Sequence, residues 1–274
     1  MTRLGCSTIS FRHRPLSEAL AAIRRLELPG VDVGGLPGVC DHIPTPLPED
    51  IEAVDDIVRV LESSGLAVWA LNVDPGPLND PALDEARLRA RGTALATLAS
   101  RLGAALIVPC GAQRREPFVT EDADLSLLAD RLTTLGGIAA EHDVRLLVEG
   151  LHHFRFCHTT ARATALLDRV PAHAAGFVLD VSHVVAGGFD EVAFARAAAD
   201  RTEHVHLRDA VDGDINLSLG RGRADFAGVV GALTAHGYTG HYVLELETHD
   251  VAEDEREQRA AEARDLVTPL LPRA

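Results

Sequence analysis

Four short apolar runs in the second half of the chain end at side chains that bind metals in proteins. The runs are RLLVEG, GFVLDVSH, EHVHLRD and YVLELE, and the side chains are Glu149, Asp180, His206 and Glu245. Three converging carboxylates repel one another unless a cation or protons lie between them. With one imidazole they form an oxygen-rich set that suits Mn²⁺ or Mg²⁺ and accepts Co²⁺ or Zn²⁺. We expect one divalent ion, Mn²⁺ first; alternatively, each residue caps its strand or pairs with an arginine.

Parallel strands are required to bring these side chains together. Eight strand-like runs lie at about residues 4–9, 31–34, 67–73, 104–109, 144–149, 176–181, 203–207 and 241–246. Stretches with apolar residues at helical spacing separate them, among them 81–102, 121–142, 160–169, 189–199, 224–236 and 254–269. A doubly wound sheet usually has fewer strands and a Gly-rich first turn, whereas GCSTIS stands here. The pattern predicts a single (β/α)₈ TIM barrel, forming one domain over residues 1–274, with the four ligands at strand C-terminal ends.

The composition excludes several kinds of chemistry and partner. A net charge of −15 opposes binding to nucleic acid, which depends on basic side chains that neutralise phosphates. All 26 basic residues are arginine, so neither a Schiff-base lysine nor a P-loop lysine is present. The Pro-rich segment GGLPGVCDHIPTPLPED, residues 34–50, is predicted to lack regular structure and to form a loop.

The cysteines and the N-terminus bear on the compartment. The four cysteines are scattered and form no C-x-x-C pair, which predicts reduced thiols rather than disulfides or a structural zinc site: Cys6, Cys40, Cys110 and Cys157. The N-terminal MTRLGCSTIS passes straight into a strand, and no apolar run approaches the ~18 residues of a membrane span. We therefore expect a soluble, cytoplasmic protein without a membrane partner.

The strand-end motifs resemble those of the sugar phosphate isomerase/epimerase family of xylose isomerase-like barrels. The motifs are VEG with Glu149, LDVSH with Asp180 and His183, HVHLRD with His206, LGRGRADF, and LELE with Glu245. The wider superfamily includes tagatose and psicose epimerases, inosose dehydratases and endonuclease IV. The resemblance implies that Glu149, Asp180, His206 and Glu245 ligate the metal and that His183 contacts substrate. It also implies that the two glutamates are the acid/base pair.

The chemistry of that pair follows from general principles. A metal bound to a carbonyl oxygen and its neighbouring hydroxyl makes the adjacent C–H acidic, because it stabilises the enediolate. Glu149 is assigned as the base and Glu245 as the conjugate acid. The outcome is isomerisation, epimerisation, dehydration or β-elimination, including cleavage of a 3-oxo-glycoside. The expected substrate is a small sugar, cyclitol or glycoside.

Further side chains are candidates for contacting substrate or a phosphate. Arg208 should point toward the barrel mouth, where it holds a substrate oxygen or pairs with Glu245 or Asp209. His152, in the loop after Glu149, and His42, in the Pro-rich segment, are further substrate-binding candidates. The glycine turn in LGRGRADF is a candidate phosphate site, with Arg221 where the family usually has an acidic residue.

Two other classes of protein share the predicted barrel. A nuclease of the endonuclease IV kind needs three metals and a D-x-H pair after the strand-seven histidine, and DAVDGDINLSLGRG contains no such pair. A non-catalytic accessory barrel would not need all four ligand positions, which here are filled. The outer helices show no unusual surface pattern, so the sequence predicts neither a monomer nor a homo-oligomer.

Overall fold

The computed structural model describes residues 3–47 and 51–272. Eight parallel strands close into a barrel because the first strand pairs with both the second and the last. The barrel strands are β1 (Leu4–Ser7), β2 (Gly30–Leu36), β4 (Ala67–Val73), β5 (Ala105–Pro109), β6 (Leu146–Glu149), β7 (Gly176–Asp180), β8 (Thr202–Leu207) and β11 (His241–Leu244). Three short strands outside the barrel are β3 (Cys40–Asp41), β9 (Asp209–Val211) and β10 (Asp214–Leu217). The predicted (β/α)₈ TIM barrel is thus confirmed.

Helices surround the strands and lie close to the predicted ranges. They are α1 (Leu16–Arg25), α2 (Ile51–Ser63), α3 (Glu85–Leu102), α4 (Glu121–Glu141), α5 (Thr160–Arg169), α6 (Val181–Ala186), α7 (Glu191–Ala198), α8 (Phe226–Ala235) and α9 (Arg256–Val267). Six of them begin at a side-chain cap that accepts a backbone N–H, the caps being Asp84, Thr120, Thr159, Asp180, Asp190 and Asp225. None of the described helices is long and apolar enough to cross a lipid bilayer.

The prediction that residues 34–50 lack regular structure was wrong in part. Strand β2 continues to Leu36, and β3 pairs with it in antiparallel orientation. Pro37 and Gly38 make the turn, in which Gly38 has a φ of +76° and Val39 N–H donates to the Leu36 carbonyl at 2.9 Å. Residues 48–50 lie outside the described residues.

A second hairpin, β9–β10, was not predicted. Its turn contains Asp212 and Gly213, and Gly213 has a φ of +82°. An Asp-Gly pair is a strong hairpin signal. This hairpin and the turn at Gly38 both lie after the C-terminal ends of barrel strands, so they shape the mouth of the barrel.

The barrel interior is apolar at one level and polar at others. Four buried side chains of neighbouring strands form a small inner core, namely Ala70, Ile107, Leu147 and Val178. Nearer the N-terminal end, the Trp69 ring stacks on His241 with a centroid separation of 3.8 Å. A Cβ at Gly5 or Gly30 would collide with that ring, so glycine is required there. Asp32 and His204 lie level with this inner core, in register with Ala70 and Val178, and further polar groups lie above it toward the barrel mouth.

Candidate metal centre

The four predicted ligands converge at the C-terminal end of the barrel. Glu149 ends β6, Asp180 ends β7, His206 lies in β8, and Glu245 follows β11 directly. Asp180 and His206 are partners in register on adjacent strands. One ligand atom from each of the four side chains lies within 4.8 Å of those of the other three, and all four residues are buried. The structure therefore brings together the whole set that the strand-end pattern predicted.

The two ring nitrogens of His206 have different surroundings. Nε2 lies 3.1 Å from Oδ2 of Asp32 and donates a hydrogen bond to it. Nδ1 lies 3.5 Å from Oε1 of Glu149 and 3.4 Å from Oε2 of Glu245. Nδ1 is fully buried and has no hydrogen-bond partner among the described residues. A buried ring nitrogen that faces two carboxylates and makes no hydrogen bond is in the arrangement expected of a metal ligand.

The carboxylates set the protonation of this centre. Burial alone would lower the pKa of His206, but Glu245, Asp32 and Glu149 outweigh it and raise the pKa well above its usual value. The pKa of Glu149 is raised, first by burial and then by the charges of Glu245 and Asp180. Burial would also raise the pKa of Asp180, but its partners lower it, chiefly Arg208.

Arg208 points into the same cluster. Its Nη2 donates to Oδ2 of Asp180 at 2.7 Å and lies 3.5 Å from Oε2 of Glu245. Nη1 donates to Glu247 at 3.0 Å, and Nε donates to the Ser182 hydroxyl at 3.0 Å. Burial opposes the charged guanidinium, yet Asp180, Glu245 and Glu247 raise the pKa of Arg208 above its ordinary value. Of the two predicted pairings, the one with Glu245 is present, and Asp180 and Glu247 are added to it.

The residues present fit a divalent cation. Arg208 is the only arginine or lysine that bonds to the four-ligand cluster among the described residues, whereas the cluster carries three carboxylates and lies beside two more. The surrounding acids are Asp32, Glu149, Asp180, Glu245 and Glu247. Buried carboxylates in such excess need further positive charge. Three oxygen ligands and one imidazole nitrogen would supply the donors for Mn²⁺, Mg²⁺, Co²⁺ or Zn²⁺.

Two further histidines, His152 and His183, lie on the side of the cluster facing the cavity. Their rings are in contact, with centroids 3.8 Å apart and planes tilted by 31°, and Nε2 of His183 lies 3.6 Å from Oδ2 of Asp180. Nδ1 of His183 accepts from the backbone N–H of His153 at 3.1 Å, and Nδ1 of His152 accepts from that of Phe154 at 3.3 Å. Because each Nδ1 accepts from a backbone N–H, each neutral ring carries its proton on Nε2. Nε2 of His183 also lies 3.3 Å from Nη2 of Arg208, and since a guanidinium can only donate, that contact is not a hydrogen bond in this tautomer.

This tautomer suits hydrogen bonding to substrate better than metal binding. With Glu149, the two rings form a second group whose ligand atoms lie within 4.8 Å. Coordination through Nε2 would place the proton on Nδ1, against a backbone N–H. Burial comes first among the causes that lower the pKa of both His152 and His183 well below the usual value, so both rings are neutral.

A cavity of about 280 Å³ opens above these two histidines. Its wall also includes Phe154, whose ring is half-exposed, and Arg155, whose Nη2 donates to Asp74 at 2.8 Å. The volume accommodates a molecule of monosaccharide size. The mixture of polar groups and one aromatic ring is typical of a small-molecule site.

His42 lies in a separate cleft beside this cavity. Its Nε2 donates to the Arg14 carbonyl at 2.8 Å, and its Nδ1 lies 3.2 Å from the Cys40 thiol. Glu247 lines both the cleft and the cavity, so the two adjoin. The contribution of His42 to substrate binding stays a prediction.

The glycine turn considered as a phosphate site already holds an anion from the protein. The backbone N–H groups of Gly220 and Gly222 donate to Oδ2 of Asp209 at 2.8 and 3.0 Å, and that of Ala224 donates to Oδ1 at 3.1 Å. Arg221 pairs with Asp250. The side chain of Asp209 thus occupies the position that a phosphate would need.

Two side chains of the site were missed in the sequence. Asp32 lies inside β2 and contacts His206 from below, and Asn72 lies inside β4 and donates to Oε1 of Glu245 at 3.1 Å. The sequence signal for both is a polar residue within an apolar run, in VDV and ALNV, that is predicted to be a buried strand. A buried polar side chain requires a partner, and here the partner is a candidate ligand.

Comparison with known proteins defines the class of the chain. Residues 20–270 match the xylose isomerase-like TIM barrel family, and the chain belongs to that family. The resemblance noted in the strand-end motifs is thereby confirmed.

Individual relatives are similar over different extents. An inosose dehydratase of Geobacillus thermodenitrificans is 29% identical over 152 residues, which are 48% of this chain and 50% of that protein. The chain thus spans about half the length of the curated relatives it matches. The D-psicose 3-epimerase of Clostridium cellulolyticum H10 is similar in fold, with a TM-score of 0.79, 15% identity and coverage of 99% and 100% of the two chains. The IolI protein, solved with a zinc atom, has a TM-score of 0.78, 18% identity and coverage of 99% and 100%.

Proposed function

We propose that this protein is a divalent-metal-dependent enzyme that removes a proton next to the carbonyl of a sugar or cyclitol. The observation that carries the proposal is the buried set of Glu149, Asp180, His206 and Glu245, with Nδ1 of His206 unbonded at its centre. A cation bound there would supply the positive charge that stabilises an enediolate next to the carbonyl. Mn²⁺ is the expected ion.

The two glutamates are suited to the proton transfers. Their nearest oxygens lie 3.5 and 3.4 Å from the same atom, Nδ1 of His206, so both carboxylates face one small volume. Glu149 takes the proton from the carbon beside the carbonyl, and that C–H electron pair forms the enediolate. Glu245 then delivers a proton. Return to the same carbon from the opposite face is epimerisation. Delivery to the former carbonyl carbon is isomerisation, in which the proton of the neighbouring hydroxyl also passes to the former carbonyl oxygen.

A third outcome is elimination. If the carbon next to the one that loses its proton carries a hydroxyl or glycosidic oxygen, its C–O bond breaks as the new C=C bond forms. The leaving oxygen takes the proton and departs as water or as an alcohol. The similarity to an inosose dehydratase supports this outcome for a cyclitol, and cleavage of a 3-oxo-glycoside is its counterpart for a glycoside.

The side chains around the cavity would orient the substrate. Nε2–H of His183 and of His152 would donate to substrate oxygens, since their Nδ1 atoms are held by backbone N–H groups. Arg208 would hold an oxygen near the reacting carbon while it stays paired with Asp180. These groups bring the substrate within reach of Glu149 and Glu245 and exclude water from the reacting carbon.

The test is a panel of ketoses, inososes and 3-oxo-glycosides, incubated with the Mn²⁺-loaded protein in D₂O. We expect deuterium in one substrate or its product, detected by NMR at the carbon beside the carbonyl, and no incorporation after metal removal. Exchange without net conversion would still identify the enolised carbon. If no member of the panel exchanges or converts, proton abstraction is the wrong reaction class.

A further inference from the structure

Asp32 lies deep in the barrel, below the candidate metal centre. Its side chain is fully buried, and its Oδ2 lies 2.7 Å from Nε2 of His204 and 3.1 Å from Nε2 of His206. Both histidines belong to β8, whereas Asp32 belongs to β2, and these two strands are not neighbours in the barrel. The carboxylate therefore reaches across the interior to bond both rings.

We propose that Asp32 is a positioning residue that reserves Nδ1 of His206 for the metal. A neutral imidazole carries one proton, and a carboxylate that accepts from Nε2 keeps that proton on Nε2. The lone pair on Nδ1 then points at Glu149 and Glu245. This inference rests on the metal site of the proposed function and assigns a role to a residue outside the ligand set.

His204 holds the carboxylate of Asp32 in place. Its ring stands at 87° to that of His206, with the centroids 5.3 Å apart, so the two rings approach the same oxygen from different directions. Below His204, the ring of His241 lies 6.2 Å away and stacks on Trp69. These aromatic rings pack the interior from its N-terminal end up to Asp32, so the carboxylate has little freedom to turn away from His206.

Asp32, His204 and His206 also satisfy the distances expected of a metal-binding group. The contacts favour hydrogen bonds instead. Both nitrogens face one carboxylate oxygen at 2.7 and 3.1 Å, which are ordinary N–H···O lengths. A cation among these three atoms would take Nε2 of His206 and turn the ring proton to Nδ1, which faces Glu149 and Glu245, so Nδ1 could no longer be a ligand of the four-residue site.

The test measures Zn²⁺ affinity by competition with a chromophoric chelator. Asp32→Asn places an amide beside His206 that can donate to Nε2 and turn the proton to Nδ1. We expect Zn²⁺ to bind about 10- to 100-fold more weakly to this variant and to Asp32→Ala. Asp124→Asn is the matched control, since Asp124 is an equally buried carboxylate bonded to Asn79 and to backbone N–H groups away from the site. It should lower the melting temperature and leave Zn²⁺ affinity unchanged.

A second measurement does not depend on the folding of any variant. In the Zn²⁺-loaded wild-type protein with ¹⁵N-labelled histidine, long-range ¹H–¹⁵N spectra should show His206 protonated on Nε2 and coordinated through Nδ1. Protonation on Nδ1, or equal Zn²⁺ affinity in Asp32→Asn and wild type, would overturn the role of Asp32. The role would also be overturned if the wild type bound a second equivalent of Zn²⁺ that the His204→Asn variant did not bind, because Asp32, His204 and His206 would then hold a metal themselves. A wild-type protein that binds no Zn²⁺, Mn²⁺, Co²⁺ or Mg²⁺ would instead refute the metal site on which both proposals rest.

Discussion

His206 and His183 lie on two sides of the same carboxylate cluster, and their rings are held by opposite kinds of partner. His206 donates through Nε2 to the carboxylate of Asp32, which leaves Nδ1 facing Glu149 and Glu245. His183 accepts through Nδ1 from a backbone N–H, which leaves the ring N–H on Nε2, beside Asp180 and at the wall of the cavity. In its neutral form the ring of His206 therefore offers a lone pair to the centre of the site, whereas the ring of His183 offers a proton donor.

The difference shows how one residue type takes two roles within a few ångströms. Residue type alone does not separate a metal ligand from a donor to substrate oxygens, because imidazole can do either. The group bonded to the far nitrogen decides between the two. When the nitrogen away from the site donates to an acceptor, as Nε2 of His206 does, the nitrogen that faces the site has a lone pair for a metal. When the nitrogen away from the site accepts from a donor, as Nδ1 of His183 does, the other nitrogen carries the proton and can donate it.

The largest effect is expected at the proposed base. Glu149→Gln keeps the shape of the side chain but removes its ability to take a proton, and it weakens one metal ligand. We expect kcat on the natural substrate to fall by about 10²- to 10⁴-fold. Glu262→Gln, which changes an exposed carboxylate paired with Arg259 on α9, is the control and should leave kcat unchanged. Full turnover by Glu149→Gln would remove Glu149 from the chemistry.

The comparison of the two histidines is tested directly by matched substitutions. His206→Asn should weaken Mn²⁺ binding by more than about 100-fold, because it removes a ligand rather than its support. His183→Asn should leave Mn²⁺ affinity almost unchanged and raise KM, because it removes a donor to substrate. Isothermal titration with Mn²⁺ measures the first effect and steady-state kinetics the second. Equal losses of metal in both variants would show that the two rings do not differ in role.

The pH dependence of metal binding should report His206. Its pKa is raised well above the usual value in the metal-free protein, and coordination through Nδ1 requires the neutral ring. Each bound metal ion therefore displaces a proton, and affinity should rise by up to about tenfold per pH unit until the pH exceeds that pKa. Titrations in buffers of different ionisation enthalpy measure the released proton. An affinity that is flat between about pH 6 and pH 8 contradicts coordination by this ring.

The smallest effect is expected at Asn72. Its amide donates to Oε1 of Glu245, and no corresponding bond to Glu149 is found in the part of the chain that the structure describes. Asn72→Ala frees Glu245 and should lower kcat by about 2- to 10-fold, the range of one hydrogen bond. Asn79→Ala, which breaks a buried bond to Asp124 away from the site, is the control and should affect the melting temperature only. If kcat of Asn79→Ala fell by as much as kcat of Asn72→Ala or by more, the effect of Asn72 on kcat would come from protein stability alone.

The barrel and the ligand set could be predicted because each depends on local patterns. Parallel strands buried on both faces are short apolar runs, and a polar residue that ends such a run lies at the strand C-terminal edge. Glu149, Asp180 and Glu245 all follow that rule, so their convergence required only a closed barrel.

The rest of the site depends on contacts between distant parts of the chain. Asp32 bonds His206 across the barrel, at a sequence separation of 174 residues. The tautomer of His183 depends on the backbone of a loop 30 residues earlier. The glycine turn suggested a phosphate site, but the carboxylate of Asp209 occupies it, which no local pattern reveals. The hairpin at Asp212 and Gly213 does carry a local signal, because an Asp-Gly pair is typical of a hairpin turn.

The central claim is that four strand-end side chains form one divalent-metal site. The most direct measurement is the metal content of wild-type protein and of the His206→Asn variant after loading with Mn²⁺ and gel filtration. The account predicts one equivalent of Mn²⁺ in the wild type and loss of that equivalent in the variant. A wild-type protein that retains no Mn²⁺, and takes up neither Zn²⁺, Co²⁺ nor Mg²⁺ in place of it, would contradict the account.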